Sequence, residues 1–242
     1  MNDNEFFLFD LQGFLVVEDA LPADQVAAWN GLLDEYLARE MEPDSKTKRF
    51  GPKAFGDSYI GLIDNPRIMP YMNTICGPNF RLDHDYIDVI RAGVGPIGAT
   101  LHGGATPYDP SQYYVYRNNQ MYNGLTVVAY NLKDVNPGDG GFGCIPGTHK
   151  SNRPLPEEWR SLENPHPTVR AVSGKAGSAV IFTEALTHGT LPWHGADERR
   201  TVFFKYCPGH MAWSRHYYTG NDRENLTDRQ KHILQVPGIY PK

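Results

Sequence analysis

A β sandwich or barrel with helices along one side is the fold class this sequence predicts, on three observations. Helical spacing of apolar residues is concentrated before residue 78. From Phe80 onward the chain breaks into short alternating or β-branched runs separated by turns. The 24 glycines and 19 prolines supply many turns and argue against a helical bundle. At 242 residues and 40% apolar content the chain is most simply one domain with a large core.

In order, Gly13 to Glu18 is a short β-branched strand, and Leu21 to Asp24 opens a helix. Val26, Trp29, Leu32, Leu33, Tyr36 and Leu37 form that helix's apolar stripe, a packing face. Residues 40–58 are polar and read as a loop, and Asn65 to Ile75 reads as a shorter helix. The run from Phe80 to Ile90 alternates as a strand, with Asp83 and Asp85 on one face and His84 and Tyr86 on the other. Residues 105–120, rich in tyrosine, read as the rim or lid of a pocket. Strands follow in Tyr122–Val135, in the glycine-dense stretch 138–145, twice in Val169–Phe182, and in Thr201–Cys207. Thr227 and Gln230 form a capping box before a last short helix.

Composition excludes several classes. A net charge of −5 and a pI near 6.0 give no support for nucleic acid or an anionic membrane as partner. No run approaches the roughly 20 apolar residues of a membrane span. Cys76, Cys144 and Cys207 are odd in number and widely spaced, which argues against a disulfide scaffold or a thiolate zinc site and suggests a reducing compartment. With no export signal in the N-terminal residues, the expectation is a soluble cytoplasmic protein.

The chemistry concentrates between Phe182 and Phe204. His188 offers an imidazole, Thr190 a hydroxyl two residues later, and Arg199 and Arg200 paired cations. His102, 86 residues earlier, also ends a predicted strand beside glycine. A double-stranded barrel would bring both histidines to its mouth, where two imidazoles and a carboxylate suit Fe(II). Zinc held by His102, His188 and His194 is an alternative that leaves Arg199 without a role. A non-catalytic cupin-like binding protein is another.

Gly13-Phe14 with its following helix, the segment 138–150, and Gly177 to Phe182 leading into His188 resemble the phytanoyl-CoA dioxygenase family of Fe(II)- and 2-oxoglutarate-dependent oxygenases. The resemblance implies a double-stranded β-helix (jelly roll, cupin-like) within one oxygenase domain, 1–242. Residues 1–78 would be the helical flank and first strand, 79–209 the β core, and 210–242 a C-terminal extension. It implies His102 and His188 as iron ligands, with Arg199, eleven residues after His188, and Thr190 holding the remote carboxylate of 2-oxoglutarate. Asn123 joins the cosubstrate candidates. His84, Asp85, Tyr108 and Tyr116 are candidates for contact with a small-molecule substrate, and His149 reads as structural.

One departure stands out. The family's aspartate two residues after the first histidine is Gly104 here. A glycine vacancy could admit chloride, the arrangement of related halogenases. Alternatively another carboxylate fills the position, with Asp85, Asp109 and Glu184 as candidates. In an extended strand Glu184 would lie roughly 13 Å from His188, whereas a helical turn would bring the side chains to about 6 Å. A degenerate site without catalysis is the third reading.

Overall fold

The computed structural model describes residues 1–216, 218–219 and 224–239. The helices are α1 (Asp3–Gln12), α2 (Ala23–Glu40), α3 (Gly56–Ile63), α4 (Met69–Ile75) and α5 (Asp228–Ile233). The strands are β1 (Phe14–Val17), β2 (Thr47–Phe50), β3 (Phe80–Ile90), β4 (Tyr114–Arg117), β5 (Gln120–Asn123), β6 (Thr126–Asn131), β7 (Gly141–Cys144), β8 (Arg170–Ala171), β9 (Ala179–Thr183), β10 (His188–Leu191) and β11 (Arg199–Pro208).

An antiparallel sheet in the order β1-β9-β6-β11-β3-β2 faces a smaller one in the order β10-β7-β8. An isolated bridge between His102 and His188 extends the small sheet by one segment. This is the double-stranded β-helix expected from the sequence. Phe14, Val127, Phe142, Val180, Phe182, Leu186 and Phe203 fill the space between the sheets. The outer face of the large sheet carries Ile87, Val128, Tyr130, Ile181, Val202, Phe204 and Tyr206, which pack on Trp29, Leu33, Tyr59, Leu62, Ile63 and Met72 of the helices. Strand alternation decides this partition: along β11 the even residues Val202, Phe204 and Tyr206 face the helices, and the odd ones face the interior.

Four elements depart from the sequence expectation. Residues 3–12 form α1, whose N-terminus is closed by a reciprocal capping box between Asn2 and Glu5. Inside the segment read as a loop, Thr47–Phe50 pairs with β3, and Gly56–Ile63 is helical. Their apolar residues are too few and too short-ranged for periodicity to be visible; packing of Phe50 and Phe55 on Tyr36 supplies what local sequence does not. The helix expected from Asn65 begins only at Met69, because Asn65 turns aside to donate to the Ala20 carbonyl. Among the described residues no helix is long and apolar enough to cross a membrane.

Gly13 and His149 tie the N-terminal helix to the small sheet's loops. Gly13 ends α1 at φ 83°, and a Cβ there would lie 2.7 Å from His149 Nδ1. His149 is fully buried and its Nε2 donates to the Asp10 carbonyl at 2.9 Å. Gly13→Ala combines a left-handed backbone with overpacking, so it should destabilise the fold by about 3 kcal/mol in urea unfolding. Burial pulls the His149 imidazole down from 6.5 to about 4. Between these values the unfolded chain binds the proton and the folded one does not. The associated stability is therefore complete above pH 6.5 and lost as pH falls toward 4. Unfolding curves across that interval should show this slope, and His149→Phe should make it shallower while leaving the share of His188, which burial pulls down in the same way.

Candidate metal and cosubstrate site

The site is built at one end of the sandwich by a turn. β9 stops at Thr183, where the Leu186 amide donates back to the Thr183 carbonyl at 2.9 Å. The Thr183 hydroxyl accepts from the Ala185 amide, and the Glu184 amide bonds the Leu125 carbonyl. The chain thus curls over residues 184–187 before β10 begins at His188. Glu184 Oε2 consequently lies 3.7 Å from His188 Nε2. The extended path would have held the two side chains apart.

His102 arrives from across the small sheet, exchanging both backbone hydrogen bonds with His188 at 2.8 and 2.9 Å. Gly103 permits that approach: at φ 76° its Cβ would lie 2.6 Å from the carbonyl oxygens of Glu184 and Leu186. One ligand atom each from His102, Glu184 and His188 then lies within 4.8 Å of the others. In both histidines Nδ1 faces a backbone carbonyl two residues earlier, at 2.6 Å to Leu186 and a longer 3.4 Å to Thr100. Nε2 is thereby left for the cluster, the arrangement usual for metal-binding imidazoles.

The electrostatics suit a cation. Burial, reinforced by neighbouring His102, pulls His188 down to about 3, so its imidazole is neutral. Burial acts to raise Glu184, but Lys205 and His188 outweigh it and bring the carboxyl down to about 2. Lys205 Nζ donates to Glu184 Oε1 at 2.6 Å, and although burial opposes its charge, Glu184 holds the ammonium above its ordinary value. Two imidazoles and one carboxylate form the donor set that suits non-haem Fe(II).

The same cavity, about 390 Å³, is lined by Thr190, Arg199, Lys205 and the rings of His84, Tyr86 and Trp213. Arg199 is 3% exposed, and its Nε and Nη1 have no hydrogen-bond partner among the described residues. Burial lowers its affinity for a proton, with partial compensation from Asp88. Asp88 itself is engaged by a two-point pair with Arg49, at 2.7 and 2.6 Å. A buried guanidinium with free donors is costly unless an anion completes it. His84 lies on the cavity side with Nδ1 fixed 2.7 Å from Asp83, and its ring stacks on Trp213.

Several sequence candidates lie elsewhere. Asp85 sits on the opposite face of β3, accepting hydrogen bonds from Tyr59 and Tyr218 under the helices. Asn123 is buried and donates to the Ile75 carbonyl, a structural role away from the cavity. Tyr108 is 70% exposed, and Tyr116 packs edge-on against Phe6; neither lines the cavity. Tyr116 belongs to the β4–β5 hairpin, whereas Gln112 from the same tyrosine-rich segment does line the cavity. Asp109 caps the Ser111 turn, and exposed His194 is not in the cavity. Lys205, Arg49 and Asp88 were missed. The sequence did carry a signal for Lys205, which has the same strand parity as Arg199, and for Asp88, which shares that of His84.

The expected vacancy at residue 104 is also corrected. Gly104 has φ 110°, so the chain there is not a strand, and a Cβ would meet Thr187 Oγ1 at 3.0 Å. It lines a separate cavity of about 230 Å³ with Thr106, Ile145 and Thr148.

Residues 96–201, which span His102, Glu184, His188 and Arg199, match the family described as phytanoyl-CoA dioxygenase (PhyH). No curated protein matches the sequence significantly. HygX from Streptomyces hygroscopicus, solved with nickel and 2-oxoglutarate bound, superposes with a TM-score of 0.78 at 23% identity, covering 88% of this chain and 89% of HygX. SnoN, a non-heme α-ketoglutarate-dependent epimerase from nogalamycin biosynthesis, superposes with a TM-score of 0.63 at 18% identity, covering 86% and 83%. At these identities the two structures establish the jelly-roll fold.

An aspartate at 104 should therefore not complete the cluster. Gly104→Asp should neither tighten nickel(II) binding, measured by calorimetry, nor restore it in a Glu184→Ala background; strain at its positive φ should lower thermal stability instead.

Proposed function

We propose that the protein is an Fe(II)- and 2-oxoglutarate-dependent oxygenase that hydroxylates a C–H bond of a small molecule. The observation that carries this reading is one cavity containing two complementary, unsatisfied features. One is the His102–Glu184–His188 donor cluster, and the other is the buried Arg199 with two unpartnered nitrogens. A metal alone would explain the first and leave the second as a buried cost. A dicarboxylate bound between them accounts for both.

The residues present fit that group. His102, His188 and Glu184 would hold the iron, while Arg199 and Thr190, which both line the cavity, would hold the remote carboxylate of 2-oxoglutarate. When bound, the iron and 2-oxoglutarate supply the oxidising power from O2, with release of succinate and CO2. The protein's own share is orientation and exclusion of water. Phe142, Phe182 and Phe203 form an apolar floor, while His84 and Trp213 line the cavity where substrate would enter.

Hydroxylation is preferred to halogenation because Glu184 supplies the carboxylate whose absence the chloride reading requires. Gly104 lines a different cavity from the one that holds the cluster. HygX with hygromycin B bound and SnoN with nogalamycin RO bound share this fold, which supports a small-molecule substrate.

Anaerobic Fe(II) plus 2-oxoglutarate should give a weak visible charge-transfer band, and admission of O2 should release succinate. Iron-loaded protein that shows neither would overturn the reading. Arg199→Ala should weaken 2-oxoglutarate binding about tenfold to a hundredfold, as expected for loss of a charged hydrogen-bond pair, and leave nickel(II) affinity largely unchanged.

A further inference from the structure

Glu184 has two oxygens in different surroundings. Oε2 faces His188 Nε2 at 3.7 Å, on the side of the donor cluster. Oε1 is taken by Lys205 Nζ at 2.6 Å. Lys205 approaches from β11 of the large sheet, whereas Glu184 and His188 belong to the turn that leads into the small one. Its ammonium lies over the Tyr86 ring, whose centroid is 5.4 Å from Nζ, and Tyr86 in turn stacks on Phe203. The ammonium is thus fixed on the inner face of the large sheet, and the carboxylate cannot rotate both oxygens toward the cluster without breaking this bond.

We propose that Lys205 is a positioning residue that restricts Glu184 to one-oxygen coordination of the metal, keeping two adjacent positions open for 2-oxoglutarate. The inference rests on the reading of Glu184 as a ligand. A carboxylate can bind a metal through one oxygen or through both. On an octahedral ion, three single-point protein donors leave half of the positions open, enough for a two-point chelator and O2. A chelating Glu184 would remove one of them. An aspartate two residues after the first histidine arrives on a short side chain from its own loop. Glu184 arrives on a longer one from the turn before the second histidine, and has more freedom to present both oxygens. Lys205 removes that freedom, at the cost of a cation near the metal.

Infrared difference spectra of the full chain on nickel(II) binding, with 13C-labelled glutamate, read the carboxylate mode directly and need no variant. A wide splitting of the asymmetric and symmetric stretches is expected for one-oxygen binding; a narrow, chelate-like splitting overturns the proposal. On nickel(II)-loaded protein, Lys205→Met should weaken 2-oxoglutarate binding about tenfold or more, the usual scale for groups supporting a metal ligand. Succinate has both carboxylates but no keto oxygen, so it needs only one metal position and should weaken by less than about threefold. Lys205→Arg, which retains an N–H donor, should stay near wild type for both. Equal weakening of both dicarboxylates by Lys205→Met would reduce Lys205 to a charge effect and overturn the proposal, as would no weakening of either. Nickel(II) affinity unchanged in Glu184→Ala would instead remove Glu184 from the ligand set, a failure of the underlying reading that the splitting and the two dicarboxylates do not produce.

Discussion

A carboxylate taken wholly out of water must be compensated, and the surroundings of Glu184 are organised by that requirement. Its burial is opposed by the ammonium of Lys205 at 2.6 Å. A buried pair of this kind contributes little net stability, because desolvation of both ions consumes most of the attraction. It does fix orientation. The turn after β9 and strand β11 belong to the same large sheet with β6 between them, so the pair holds the turn against the inner face of that sheet.

The cavity can be described as three kinds of side chain with separate debts. The histidines have satisfied Nδ1 atoms and present Nε2. Glu184 has one oxygen engaged and one facing the cluster. Arg199 has donors that nothing among the described residues completes. Neighbouring Arg200 makes the contrast clear: it points to the other face, where Asp34, Asn30 and Glu198 satisfy it. Two adjacent arginines thus have opposite fates, one structural and one available to an anion, because a strand turns successive residues to opposite sides.

Much of this was legible in the chain. The helix at residues 23–40, the long strand at 80–90 and the strands around 141–144, 179–183 and 199–208 announced themselves by period and by flanking glycines. His102, His188, Thr190 and Arg199 were placed by spacing and resemblance, and all four line one cavity. Less legible were α1, whose apolar residues lie on no single stripe, and β2, an edge strand that depends on β3 for its form. Tyr108, Tyr116 and Asn123 were drawn toward the site by polarity, which does not reveal the direction in which a hairpin folds.

The sequence by itself determined which chemistry was available: two imidazoles, a downstream arginine, and no aspartate where the resembled family has one. These depend on residue type and separation along the chain. Tertiary structure alone decided which carboxylate joins the histidines. That choice turned on whether residues 183–188 run straight or curl, and the curl is set by the Leu186-to-Thr183 hydrogen bond and by the docking of Gly103 against the turn. Lys205 likewise becomes Glu184's partner only when β9, β6 and β11 pair side by side in the large sheet, a contact across 21 residues that no local pattern encodes.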